Sequence, residues 1–171
     1  MNVILVMLFA SVFIFANPFP TISEKSLSNK TVNIPNNQHR QLLILGFDMN
    51  SSDPMNEWAS ALGLMNEAPP IHWVQMPVIG GVPPFVDGFI KRGMKKSVDK
   101  SLHGHYVPYF GDKKDDILKS LQGTTQLEDA VTPFIVITNP DGHMAYMLQG
   151  LPTTKNIKMV IDKIKSPINT K

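Results

Sequence analysis

The segment VTPFIVITNPDGHMAYMLQG, residues 131–150, narrows the choice of fold more than any other part of the chain. Phe134 to Thr138 reads as a strand, Asn139-Pro140-Asp141-Gly142 as a tight turn, and His143 to Gln149 as the returning strand. A two-strand unit joined this tightly is antiparallel. TTKNIKMVIDKIK then puts Ile157, Val160, Ile161 and Ile164 at helical spacing, with Thr153 or Thr154 as the cap.

Upstream of this hairpin, strands and helices alternate. Gln41 to Phe47 is a short apolar run bounded by turn signals, the pattern of a buried central strand. It enters a polar elbow, where Asp53 suits an N-cap and Pro54 the first helical position. The helix is expected to run to about Asn66, turning Trp58, Leu62 and Met65 to the core, with Pro69-Pro70 as its stop. IHWVQMPVI predicts a second strand ending near Pro77. After a loop at Gly80 to Pro84, a helix from Phe85 carries Phe89, Met94 and Val98 as its buried side. Gly88 and Gly93 weaken it and could divide it into two pieces. YVPYFG reads as a short strand, and KKDDILKSLQG as a helix with Ile117, Leu118 and Leu121 inward, stopped by Gly123. Before all of these, Leu27, Val32 and Ile34 suggest a hairpin or irregular strand ending at Pro35. Alternating elements closed by an antiparallel hairpin imply an α/β layered fold with a mixed sheet.

A chain of 171 residues, 43% of them hydrophobic, suffices for one cored domain and is short for two. The net charge of +2 comes from scattered bases, which excludes the concentrated basic footprint of a nucleic-acid binder. Cysteine is absent, so disulfides, thiolate metal sites and thiol catalysis are excluded together. Residues 3–16, VILVMLFASVFIFA, are apolar and uncharged, and Asn17-Pro18 ends the run. The run is shorter than the ~20 residues that span a bilayer and suits a signal-peptide core, with Ala16 before the cut. Export follows, to the periplasm or envelope in a bacterium, with the leader either cleaved or kept as an anchor.

The element order, with Thr132-Pro133 opening the third core strand and Gly150 ending the hairpin, resembles the thioredoxin-like fold: a three-layer sandwich with a mixed central sheet, a C-terminal β-hairpin and a helix. The opening SLSNKTVNIP…LLILGF resembles the redoxin and peroxiredoxin branch. WVQMPVIG, FVDGFIKRGM and DGHMAYMLQG are similar to bacterial relatives of the mitochondrial ATP synthase assembly-factor family, whose members lack an obligatory redox cysteine pair. His143 and Met144 stand where the mitochondrial members carry a basic pair. The resemblance divides the chain into a signal peptide or N-terminal anchor (1–16), a polar lead-in (17–25), a thioredoxin-like domain (26–165) and a tail (166–171). It implies that Asn50 to Pro54 occupy the position of the redox motif, and that Pro133 is the fold's cis-proline, beside which an extended peptide is received.

The candidate peptide-binding face is therefore Ser51, Ser52, Asp53, Thr132 and Pro133. Capping the helix is the competing role for Ser52 and Asp53. A serine also needs a general base to act as a nucleophile, and His72, His103, His105 and His143 are all distant in sequence. His103-Gly104-His105 reads as loop, with Asp99 and Asp112 the only acids at hand, so no metal site is expected. VIGGVPP lacks the spacing of a phosphate loop. The ten methionines are dispersed and read as core filler. These readings converge on an exported binding or chaperone-like module for a protein or peptide client, with no catalytic residue, no cofactor and no nucleic acid, touching membrane only through an uncleaved leader. The alternative is a degenerate redoxin that borrows a partner's thiol.

Overall fold

The computed structural model describes residues 18 to 168, and the apolar run of residues 3–16 lies outside them. Along the described chain the order is β1 (Ile22–Lys25), β2 (Thr31–Ile34), β3 (Gln41–Gly46), α1 (Ser52–Ala61), β4 (His72–Pro77), α2 (Pro84–Ser97), α3 (Lys114–Gln122), β5 (Phe134–Thr138), β6 (Met144–Gln149) and α4 (Thr154–Lys165). The main sheet has the order β4-β3-β5-β6. β3 is parallel to β4 and antiparallel to β5, and β5 is antiparallel to β6. This is the mixed sheet with a C-terminal hairpin and helix that the sequence implies.

Side chains on a strand alternate between faces, and the core divides accordingly. Leu43 and Leu45 of β3, Val74 and Met76 of β4, and Phe134 and Val136 of β5 point to one face. There Ile117 and Leu121 of α3, with Phe19, Ile22 and Ile34 from the β1–β2 hairpin region, complete a cluster. Leu42, Ile44, Trp73, Ile135 and Ile137 point to the other face, against Met55 and Trp58 of α1, Leu62 just after it and Val160 of α4. With both faces covered, β3 has no polar side to present, which explains its unbroken apolar run. Trp58 is fully buried, a burial that contributes about 2–3 kcal/mol. Residues 18–25 supply Phe19, Ile22 and strand β1.

Several expectations are corrected. α1 ends at Ala61 rather than near Asn66, because Gly63 adopts φ +65 and its amide bonds back to Ser60. Leu64 then enters the core, while Met65, expected there, is 43% exposed. YVPYFG forms no strand. Tyr106 and Tyr109 make isolated bridges to Gln75 and Val78 along the outer edge of β4, with Pro108, which has no amide hydrogen, between them. α2 is one continuous helix through both glycines, and Phe89 is on its outside. Methionine is core filler at Met55, Met76 and Met144, but Met49 is 92% exposed.

Candidate functional site

The elbow is built by β3 running out at Gly46. A Cβ there would stand 2.8 Å from the Cβ of Ser51 and press on the Met55 sulfur, so only glycine lets the chain fold back this closely. Asp48, in extended conformation, accepts from the Asn50 amide at 2.8 Å. It thereby caps a short 3-10 turn, Met49–Ser51, that leads into α1. The cap is thus Asp48 rather than Asp53, and Pro54 is the third residue of α1, where an amide hydrogen would still have no helical partner.

The two serines of the elbow have different environments. Ser51 is fully buried, its Oγ donating to the Ala130 carbonyl at 3.1 Å and accepting from the Asp48 amide at 3.3 Å. Both functions of its hydroxyl are spent on structure. Ser52 is exposed and donates to the Met49 carbonyl at 3.2 Å. Burial pushes the nearby Tyr106 phenol up, and the Ser52 hydroxyl partly offsets this. Asp53 is exposed in the first turn of α1, where a carboxylate suits the helix dipole.

The Ser51–Ala130 bond joins positions 79 residues apart and draws the Thr132-Pro133 segment against the elbow. All five candidate residues therefore belong to one end of the sheet. Thr132-Pro133 is not cis; the cis peptide among the described residues is Ile34–Pro35. The segment's backbone is also occupied. The Asp129 carboxylate accepts from the Val131 and Thr132 amides at 3.0 Å each, Gln149 Nε2 donates to the Thr132 carbonyl at 3.3 Å, and the Gly150 amide donates to the Pro133 carbonyl at 3.2 Å. The hydrogen bond with the Thr132 hydroxyl, followed by that from the Thr132 amide, holds the Asp129 carboxyl below the usual carboxylate range. Trp58 Nε1 donates to the Gly150 carbonyl at 2.7 Å and locks α1 to the same corner.

Sequence reasoning missed the apolar rim of this corner. Met49 sits in the elbow, Val131 follows Ala130, and Leu151 follows Gly150, and these three are 92%, 40% and 49% exposed. Their composition is unremarkable, so only the tertiary bonds at Ala130 and Gly150 place them together. Asp48-x-x-Ser51 is a capping-box spacing that could have been read from the chain.

No histidine supplies a base here. β3 meets the elbow at the end where it pairs with Pro77 and Phe134, whereas His72 pairs with Gln41 at the opposite end. His72 stacks on His39 there, and His105 stacks on Trp73. His143 follows the hairpin turn next to Thr138, which also pairs with Gln41. His103 Nε2 is bonded to the Val98 carbonyl and His105 Nδ1 to the Trp73 carbonyl, so the two rings are used separately. Among the described residues no group of three His, Asp or Glu could hold a metal ion.

No family model matches the chain, and no curated protein matches it significantly. Solved structures do. The exposed lipoprotein thioredoxin Etrx1 of Streptococcus pneumoniae superposes with a TM-score of 0.54 at 8% identity, over 85% of this chain and 98% of that one. BsSco, of the Sco family of cytochrome c oxidase assembly proteins, gives 0.58 at 12% identity, over 88% and 92%. The fold is thioredoxin-like. The thioredoxin domain of a thiol-disulfide oxidoreductase from Bacteroides vulgatus adds a third case, with 0.52 at 16% identity over 88% and 97%. At such identities the likeness concerns architecture. Thiol chemistry does not transfer with it, because the chain has no cysteine.

Proposed function

We propose that this protein is an exported, cysteine-free thioredoxin-fold module that binds an extended apolar segment of a client protein at the elbow corner. The observation that carries this reading is the exposure of three apolar residues at this corner, where the buried hydroxyl is already engaged. Met49 is in the elbow, Val131 is next to the Ala130 that Ser51 bonds, and Leu151 is next to the Gly150 that Trp58 bonds. Exposed apolar side chains around a rigid polar centre suit retention of a ligand rather than its conversion. With the Thr132 amide and carbonyl already bonded, recognition runs through side chains and not through an added strand. The likeness of Pro77 to Gly80 and Phe89 to Met94 to bacterial relatives of the ATP synthase assembly factor favours an assembly-type client, and the apolar leader favours export.

The test uses the full chain with a photo-crosslinking residue in place of Met49, presented with peptides of defined sequence that are either apolar or polar. Labelling is expected with apolar peptides and is expected to fall at least about tenfold when Val131→Asp and Leu151→Asp are combined, the loss of two buried aliphatic contacts. Equal labelling of polar peptides, or labelling indifferent to the two aspartates, sinks the proposal.

A further inference from the structure

Helix α2 buries none of its described side chains. Val86, Ile90 and Met94, spaced at i, i+4 and i+8, are half-buried and mark the side turned toward the domain. Phe85 and Phe89, one turn apart, are 79% and 72% exposed. Arg92 and Lys96 continue the same outward face at i+7 and i+11 from Phe85, and both are exposed. Among the described residues, nothing lies within 4 Å of where a Cβ would stand at Gly88 or Gly93, on either flank of the phenylalanines. Asp87, the only acid of the helix, is half-buried on the domain side. Beside this face, between α2 and the turn after β1, opens a cleft of about 240 Å³ walled by Lys25, Asn29, Arg92 and Lys95. The fourth cation, Lys91, is committed: its Nζ lies 3.5 Å from Glu24 and 5.2 Å over the Phe110 ring. Lys25, Arg92 and Lys95 have no carboxylate partner among the described residues.

We propose that this face docks on an anionic membrane surface, with Phe85 and Phe89 entering the interfacial layer and the Lys25–Arg92–Lys95 cleft taking a phosphate-bearing headgroup. Aromatic residues flanked by bases on one helix face match such a surface in both its apolar and its charged part. The face is convex and lacks walls, and a fluid surface needs no complementary shape. A second copy is disfavoured by charge, since a two-fold contact through this face would set bases against bases. The elbow corner takes no part in this contact.

Phe85→Trp in the full chain reports the contact directly, because Trp58 and Trp73 are 0% and 3% exposed and already emit from buried sites. Vesicles of phosphatidylcholine mixed with phosphatidylglycerol are expected to shift the added emission to the blue, and high salt to reverse it. Phosphatidylcholine alone and inorganic phosphate are expected to leave it in place. Arg92→Glu with Lys95→Glu, or Phe89→Ser, is expected to weaken partitioning about tenfold or more. Binding to anionic vesicles with position 85 still in water would mean attachment through the apolar leader, and would overturn the proposal. A blue shift that grows with protein concentration without lipid, or that appears only with an acidic polypeptide such as polyglutamate, would overturn it as well.

Discussion

Ser51→Ala removes one oxygen and little volume, so its effect isolates the two hydrogen bonds that join the elbow to the Thr132-Pro133 segment. The Oγ donates to Ala130 at 3.1 Å and accepts from Asp48 at 3.3 Å, and the side chain is fully buried. A lost intramolecular hydrogen bond costs about 0.5–1.5 kcal/mol net, and a polar partner stranded without water costs about 1–3. Ala130 is half-buried and Asp48 exposed, so water can recover part of the loss. A total of about 1–2 kcal/mol results, equivalent to a Tm lower by roughly 2–8 °C for a domain of this size. Chemical denaturation measures the loss, and the midpoint should move without a change in slope. Ser52→Ala is the control, since an exposed hydroxyl should cost no more than about 0.5 kcal/mol. Equal effects at the two serines, or a Ser51→Ala loss below that of Ser52→Ala, would refute the view that the Ser51 hydroxyl is a structural tie.

Three further outcomes follow from the same corner. Gly46→Ala should destabilise by about 1–3 kcal/mol in urea denaturation, because its Cβ would stand 2.8 Å from that of Ser51 in a packed elbow. Trp58→Phe keeps most of the buried ring but strands the Gly150 carbonyl, and should cost about 1–3 kcal/mol by the same measurement. The Asp129 carboxyl titrates below its unfolded value, so its contribution to the 129–132 turn is complete above the ordinary carboxylate pKa of about 3.9 and disappears as pH falls through the lower folded value. NMR shifts of the Val131 and Thr132 amides should show that midpoint, and Asp129→Asn should abolish it.

The sheet was legible because its strands obey simple periodicities. Leu42 to Leu45 form an unbroken apolar run because both faces of β3 are covered, and that signature is local. The spacing of Ile157, Val160 and Ile161 announced α4 for the same reason. The corner was less legible, because its bonds join Ser51 to Ala130 and Trp58 to Gly150, and no local pattern encodes such distances along the chain. Two caps misled for opposite reasons. Asp53-Pro54 is a good start signal pre-empted by Asp48, and Pro69-Pro70 is a good stop made redundant by Gly63. In α2 the expected inward side holds for Met94 but not for Phe89: Val86 and Ile90 share the domain side with Met94, and Phe89 stands outside with Phe85. Hydrophobicity identifies a helix face only when a helix has one apolar face, and this one has two.

The segment that failed to become a strand has a consequence for how molecules of this protein can meet. Tyr106 and Tyr109, bonded along β4 at Gln75 and Val78, leave that flank of the sheet without a row of free amides and carbonyls. Beside the opposite flank, β6, the bridge from Pro18 to His143, the residue before the strand, is the one pairing among the described residues. A sheet with two bare margins can polymerise, since each added molecule offers a fresh margin to the next. With the β4 margin engaged, strand-to-strand joining through the main sheet is expected to use β6, which favours pairing β6 with β6 over open-ended growth of that sheet.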